Sequence, residues 1–269
     1  NLLVRAYMLR EYDEPKDFES FLYVSQVLQA EGIKIGAEHF RRIMPRNMGS
    51  LYWQANDVWP VASWSGMDYF GRWKALMYYT KRFYAPALIS PHVDDEGNLQ
   101  VYAVSDSPNA KKARISLALM DFGGKTLNSR EIDITLEPLR GKSYFSQPAR
   151  EFLSGADDKN AFLLAELKVD GKAVSQNEYF FRPFKELSLA QPEITPEIAP
   201  VSEGFKITLS TDKLARAVYL SGFTEGFFSD NYFNLIPGRK AEIVFRTSAK
   251  MSAEEFRQRL KIRSLVDAF

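Results

Sequence analysis

The sequence predicts a mainly β protein, in which two β-sandwiches follow a helix–strand–helix segment of the kind that ends a (β/α)8 barrel. Three observations support this prediction. Residues 87–181 hold seven short apolar runs separated by turn residues, which is typical of a β-sandwich. Similar runs resume after Pro192. The first 85 residues instead place apolar residues at helical spacing on either side of one short apolar run.

Residues 1–16 form a lead-in, and the first predicted helix spans residues 17–43. Asp17 is a suitable N-cap for this helix, and Pro45 ends it. Its apolar residues recur near helical spacing: Phe18, Phe21, Leu22, Val24, Val27 and Leu28. We expect Glu38 and Arg42, four residues apart, to pair on the surface of the helix.

The next two elements are a buried strand over residues 49–54 and a second helix over residues 71–84, which Pro86 closes. A helix, a strand and a helix in this order match the last turn of a (β/α)8 barrel. One strand cannot close a barrel, so this segment by itself leaves strand edges and apolar helix faces uncovered.

From Ala87 onwards the pattern is that of strands and turns. The strands predicted for the first sandwich are Ala87–Val93, Leu99–Ser105, Ala113–Asp121, Thr126–Leu136, Lys142–Phe145, Ala161–Val169 and Ala173–Phe181. The run from Asp94 to Asn98 between the first two has the composition of a hairpin turn.

Prolines at 192, 196 and 200 accompany a change in composition, after which a second, smaller sandwich is predicted. Its strands are Glu193–Ile198, Gly204–Ser210, Ala217–Ser221, Asn231–Leu235, Glu242–Thr247 and Ile262–Leu265. Ser252 and Glu255 are spaced as a capping box, which predicts a short helix over residues 253–260.

Composition excludes several classes of protein. The 269 residues carry 35 basic and 34 acidic side chains, and this balance argues against binding to nucleic acid or to an anionic membrane. There is no cysteine, so disulfides, thiolate metal sites and a cysteine nucleophile are absent. No apolar run reaches membrane-spanning length. The compartment stays open, with a slight preference for a periplasmic or secreted location.

The stretch from Gly49 to Ser65 has the composition of a sugar-binding loop. An indole face can cover the apolar face of a pyranose, while amides and carboxylates bind its hydroxyl groups. The candidate substrate-binding residues are Trp53, Asn56, Asp57 and Trp59. The alternative interpretation is a core strand with aromatic packing, and for Asn56, Asp57 and Trp59 a purely loop-holding role. We interpret Trp64 and Trp73 as packing residues.

No catalytic residue, metal site or cofactor is predicted. The carboxylate clusters Asp94–Glu96 and Asp157–Asp158 lie in predicted turns, where solvated carboxylates are common. The two histidines, His39 and His92, are too few and too far apart in sequence for a metal site or a hydrolytic triad.

Several of these segments also resemble the end of the catalytic domain of β-mannosidases in glycoside hydrolase family 2. The resemblance rests on the runs Glu38–Arg42, Met48–Pro60, Ser63–Ser65, Asp68–Tyr69, Gly71–Leu76, Tyr78–Tyr79 and Phe228–Phe233. It implies that 17–43 is the seventh barrel helix, 49–54 the eighth strand and 71–84 the eighth helix. It also implies that both sandwiches are immunoglobulin-like. The expected domains are therefore 1–85, 86–187 and 188–269.

This resemblance implies a retaining exo-β-mannosidase that releases terminal β-linked mannose, with Trp53 helping to floor the subsite for the non-reducing sugar. Its two catalytic glutamates are expected upstream of Asn1, so this chain alone is expected to be inactive. Self-association through the truncated barrel segment stays open. Two alternatives remain: another family 2 glycosidase, a β-galactosidase or β-glucuronidase, and a non-catalytic carbohydrate-binding or interaction module.

Overall fold

The computed structural model describes residues 2–269 and confirms the mainly β fold. In the described residues, three helices precede the first strand: α1 (Leu2–Glu11), α2 (Phe18–Arg42) and α3 (Ala75–Phe83). Two of these match predicted helices, whereas α1 occupies the predicted lead-in. Two short helices follow later, α4 (Ala149–Leu153) and α5 (Ala253–Arg259).

The chain divides into two compact units. One contains the residues up to Ala30, Gln54–Tyr78 and Leu189–Phe269, and the other contains Glu31–Trp53 and Tyr79–Ser188. The first sandwich belongs to the unit that contains Tyr79–Ser188, and the second sandwich belongs to the unit that contains Leu189–Phe269. The division into domains at residues 85/86 and 187/188 stays a prediction.

The first sandwich consists of two antiparallel sheets ordered β1-β2-β5 and β4-β3-β6-β7. Its strands are β1 (Ala87–Val93), β2 (Asn98–Ser105), β3 (Lys111–Asp121), β4 (Thr126–Leu136), β5 (Arg140–Pro148), β6 (Ala161–Val169) and β7 (Lys172–Phe180). Alternate residues of β3 point inward, so Ile115, Leu117 and Leu119 are buried in the core between the sheets. This period-two burial forms the core of the sandwich.

The second sandwich also has two sheets, ordered β12-β10-β14 and β11-β13-β9-β8. Its strands are β8 (Ile194–Val201), β9 (Gly204–Thr211), β10 (Ala215–Ser221), β11 (Phe227–Phe228), β12 (Phe233–Leu235), β13 (Ala241–Arg246) and β14 (Lys261–Arg263). The strand β11 was not predicted. The predicted capping box is confirmed, since Ser252 and Glu255 bond reciprocally at the start of α5.

The segment 49–54 does not form the predicted strand. Its backbone is irregular, and the side chains of Leu51 and Trp53 are exposed. A barrel strand takes its hydrogen bonds from parallel neighbours on both sides, and no strand of the described residues pairs with this segment. An apolar sequence by itself therefore did not suffice to make a strand here.

Glu38 is buried, and its predicted surface pairing with Arg42 is wrong. The Glu38 carboxylate accepts hydrogen bonds from Ser90 Oγ at 2.6 Å and Asn177 Nδ2 at 3.0 Å, and Lys34 Nζ lies 3.2 Å away. Arg42 instead donates to Ser90 Oγ at 2.9 Å. A buried carboxylate needs such donors to offset the loss of hydration, and two strands of the first sandwich supply them.

Candidate functional site

Trp53 follows a segment that is anchored to the end of α3. The Tyr84 hydroxyl donates to Ser50 O at 3.0 Å, and the Ser50 hydroxyl lies 2.7 Å from the Tyr84 hydroxyl and donates to it. Thr80 Oγ1 donates to the Tyr52 hydroxyl at 3.4 Å. Trp53 itself is 74% exposed, so its indole faces are open to a ligand.

Residues Gln54–Lys74, here called the site loop, fold back on themselves through backbone hydrogen bonds. Asp57 N donates to Met67 O at 3.1 Å, and Met67 N donates to Ala55 O at 2.9 Å. Lys74 N donates to Gly66 O at 2.9 Å, and Met67 also forms an isolated antiparallel bridge with Trp73. The middle segment around Met67 therefore joins the beginning of the loop to its end.

The carboxylate of Asp57 lies at the centre of this loop and is buried. It accepts hydrogen bonds from Ser63 Oγ on one oxygen and from Ser65 Oγ, at 2.7 Å, on the other. Lys74 Nζ lies 3.2 Å from the second oxygen and also donates to Ser65 Oγ at 2.7 Å. We call Asp57, Ser63, Ser65 and Lys74 the Asp57 cluster.

The local sequence explains how this cluster forms. Ser63 and Ser65 are two residues apart, and Ser65 N donates to Ser63 Oγ at 3.1 Å, so both hydroxyls face the same carboxylate. Lys74 immediately precedes α3, where the loop returns to regular structure. Because both carboxylate oxygens are occupied by donors, the arrangement can hold the loop in one conformation.

The same hydrogen bonds set the acidity of Asp57. Its pKa is lowered mainly by the hydrogen bonds from the Ser63 and Ser65 hydroxyls, which outweigh the opposing effect of burial, and Lys74 lowers it further. The ionised form is therefore the one that the folded loop stabilises.

We expect the site loop to loosen in acid. A carboxyl group whose pKa is lowered by folding contributes stability above the ordinary carboxyl pKa of about 4, and this contribution is lost as the pH falls through the lower, folded-state pKa. All four tryptophans of the chain lie between residues 53 and 73, so their fluorescence reports on this region. The emission should stay constant from about pH 8 to pH 5 and change below about pH 4.

The matching control is Asp57→Asn, which removes the titrating group. Its fluorescence should be altered already at neutral pH and should show a smaller acid-induced change. An identical acid transition in the two proteins would contradict the assignment of this transition to Asp57.

The other candidate residues of the loop are exposed. Trp59 is 64% exposed, and Asn56 is exposed with its amide donating to Asp57 O at 3.1 Å. Trp64 is 59% exposed, so its interpretation as a packing residue is wrong, and its carbonyl accepts a hydrogen bond from Gln29. The loop therefore presents indoles and an amide to solvent while Asp57 faces inward.

Sequence analysis missed three members of the Asp57 cluster. Nothing in the spacing of Ser63, Ser65 and Lys74 relative to Asp57 indicates a contact, because the contact depends on how the loop reverses. The available signal was chemical: a carboxylate, two hydroxyls and an amine among aromatic residues must find partners if they are buried.

The remaining candidates behave as solvated or structural groups. His39 is exposed, and Asp94 accepts hydrogen bonds from the backbone amides of Glu96 and Asn98 within the β1–β2 turn. Asp158 pairs with Arg182. Across residues 2–269, no three His, Asp or Glu side chains are grouped to hold a metal ion. No helix in the same part of the chain is long and apolar enough to cross a membrane.

Two domain families match the sandwiches. Residues 97–186 match the Mannosidase Ig/CBM-like domain, and residues 189–268 match an Ig-fold domain of mannosidases. Along nearly its whole length the chain is also similar to β-mannosidases. It is 31% identical to the β-mannosidase of Capra hircus over an alignment of 274 positions, which covers 96% of this chain and 31% of that protein.

The chain matches the β-mannosidases of glycoside hydrolase family 2 in both sandwich domains and along nearly its whole length. It corresponds to a C-terminal portion of such a β-mannosidase and spans about a third of the length of the curated relatives it matches. A second relative is the β-mannosidase A of Neosartorya fischeri, 28% identical over 95% of this chain and 29% of that protein.

Comparison with solved structures supports the same assignment of the chain to a portion of a β-mannosidase. It superimposes on the β-D-mannosidase of Dictyoglomus thermophilum with a TM-score of 0.85 and 28% identity, over 97% of this chain and 31% of that one. The exo-chitosanase of Amycolatopsis orientalis gives a TM-score of 0.73 at 18% identity, over 97% of this chain and 35% of that one, which shows a shared fold alone. The immunoglobulin-like character predicted for the sandwiches is confirmed.

Proposed function

We propose that the protein containing this chain is a retaining exo-β-mannosidase that releases terminal β-linked mannose. The observation that carries the proposal is the site loop, in which a buried ion-paired carboxylate holds a backbone that presents exposed indoles and an amide. Such groups suit a pyranose, because the indoles cover its apolar face and the amide binds its hydroxyls. The similarity to β-mannosidases makes β-linked mannose the preferred sugar.

Within this site we assign sugar contact to Trp53, Asn56 and Trp59, whose side chains are exposed. Asp57 has a different part, since its carboxylate oxygens are already bonded within the loop. We infer that Asp57 acts by positioning its neighbours. The division into a barrel end (1–85), a first immunoglobulin-like domain (86–187) and a second one (188–269) belongs to the same proposal.

The distribution of exposed apolar residues supports the barrel assignment. Among the described residues, most exposed large hydrophobic side chains precede residue 86, and only four lie later: Leu127, Leu139, Val174 and Val201. The earlier ones include Leu51 and Phe70, which are 102% and 65% exposed. Exposed apolar side chains in such numbers are commonly covered by another part of a protein. We propose that the rest of the barrel covers those that precede residue 86.

The proposed activity is tested on the whole protein with aryl glycosides. We expect turnover of the β-mannoside in clear preference to the β-galactoside and β-glucuronide, and the first product detected by NMR should be β-mannose, as retention requires. Preference for either of the other two glycosides would overturn the assignment to mannose in favour of another family 2 activity.

The chain of 269 residues by itself should not hydrolyse the aryl β-mannoside. Retaining glycosidases need two carboxyl groups about 5–5.5 Å apart. The two buried carboxylates of the described residues, Glu38 and Asp57, are each occupied by structural donors. The assay compares the purified chain with the whole protein at equal concentration. Turnover that persists through repurification and co-purifies with the chain would contradict this expectation. It would show that the catalytic pair lies within the chain.

A further inference from the structure

The site loop packs against the second sandwich through an aromatic contact. The ring of Trp73, at the end of the loop, lies 4.9 Å from the ring of Phe227 in β11, at an interplanar angle of 80°. The Tyr78 ring lies 5.2 Å from Trp73, and the Tyr78 hydroxyl donates to Phe228 O at 3.2 Å. Edge-to-face contacts of this kind are directional, so they fix the orientation of the Trp73 indole.

Backbone hydrogen bonds carry this contact onward to the proposed sugar-binding residues. Trp73 bridges to Met67, whose N–H donates to Ala55 O and whose carbonyl oxygen accepts from Asp57 N. Lys74, the next residue, donates to the Asp57 cluster. The backbone on either side of Asn56 is thus hydrogen-bonded to Met67, and Met67 is bridged to Trp73, the residue that packs against Phe227 of the second sandwich.

The position of Phe227 is itself tightly determined. Gly226 has φ +114°, and a Cβ atom there would lie 2.3 Å from Phe245 Cζ and 2.9 Å from Arg246 O. Only glycine allows the chain to approach β13 this closely in that conformation. The short strand β11 then pairs Phe227 with Arg246, which fixes the direction in which the ring of Phe227 leaves the sheet.

A second link joins the same sandwich to the start of α3. The side-chain oxygen of Gln26 accepts hydrogen bonds from the Tyr232 hydroxyl at 3.3 Å and from Ala75 N at 3.4 Å. Tyr232 is buried in the sandwich, and Ala75 is the first residue of α3. The second sandwich therefore holds the end of the site loop at two points. Phe227 packs against Trp73, and Tyr232 is connected to Ala75 through Gln26.

We propose that the second sandwich is a positioning element of the sugar site, and that Phe227 is the residue through which it acts. This inference rests on the proposed function, since it gives that sandwich a role in holding a sugar-contacting loop. Phe227 is a positioning residue: it contacts Trp73, and through it the loop, without contacting the sugar.

The test replaces Phe227 in the whole protein and reads two quantities. Phe227→Ala should lower kcat/KM on an aryl β-mannoside about tenfold, because it removes the support of Trp73 and lets the loop shift. It should also increase hydrogen exchange in the peptides covering residues 54–67, and Phe227→Tyr, which keeps the ring, should restore both values. If Phe227→Ala does not fold, Phe227→Leu keeps the apolar volume without the ring and takes its place.

Phe223→Ala is the matched control. Phe223 is half-buried in the same sandwich, but its ring contacts are with Phe228, Phe245 and Phe256. This variant should lower Tm while keeping kcat/KM and the exchange of 54–67 within about twofold of the unchanged protein. Equal effects of Phe223→Ala and Phe227→Ala, or unchanged exchange in Phe227→Ala, would overturn the proposal. Exchange needs no activity, so an inactive whole protein would defeat the proposed function alone.

Discussion

Replacing Trp53 by alanine in the whole protein should lower kcat/KM on an aryl β-mannoside by about 10- to 100-fold, which corresponds to about 1.4–2.7 kcal/mol of transition-state stabilisation. Trp53 is 74% exposed, so its indole contributes little to the packing of the chain and is free to stack on a sugar ring. In the purified chain, where this indole is exposed, Trp53→Ala should change Tm by less than about 2 °C.

The conservative variant Trp53→Phe separates stacking from other effects of the substitution. Phenylalanine keeps an aromatic face of smaller area, so we expect it to recover most of the lost kcat/KM. Steady-state kinetics and thermal unfolding of the three proteins give the comparison. Wild-type kinetics for Trp53→Ala would show that this indole does not contact the substrate.

Replacing Asp57 by alanine should reduce kcat/KM on the order of 100-fold, the scale expected when catalytic or binding groups are displaced by about 1 Å. The substitution removes the acceptor of two hydroxyl donors and leaves the Lys74 ammonium, whose side chain is 16% exposed, without its carboxylate. Unlike Trp53→Ala, this variant should also lower Tm, because the buried partners lose their hydrogen bonds.

Two further variants sharpen this result. Asp57→Ala combined with Lys74→Met removes the unpaired charge as well, so the double variant should recover part of the lost Tm but little of the activity. Asp133→Asn breaks an ion pair with Arg114, both of whose side chains are more than half exposed, and should change neither quantity. A fall in Tm without a fall in kcat/KM would show that the Asp57 cluster is structural only.

Local patterns of the sequence were sufficient to predict the strands of the two sandwiches, with the exception of β11. In β3 the alternation of Ile115, Leu117 and Leu119 with the smaller, less buried Ser116 and Ala118 is a period-two pattern that only an extended strand can bury on one face. The capping box at Ser252 and the turn at Asp94 depend on partners within four residues. Such short-range features are determined by neighbouring residues and could therefore be predicted from them.

The candidate site was predictable only in part. Its composition of indoles, amide and carboxylate pointed to sugar chemistry, and the resemblance of the same residues pointed to β-mannosidases, which the comparisons confirm. The role of each residue within the site could not be predicted from the sequence. Asp57 and Asn56 are adjacent and equally polar in sequence, yet the first is buried and the second is exposed.

The sequence by itself thus determined the fold class, the strands of the first sandwich, those of the second sandwich except β11, and the family. Only the tertiary structure decided that 49–54 forms no strand, that Glu38 is buried against Ser90 and Asn177, and that Asp57 meets Ser63, Ser65 and Lys74. The physical reason is the same in each case. A strand needs a neighbour, and a buried carboxylate needs donors. These partners are brought close by the path of the folded chain and not by their spacing in the sequence.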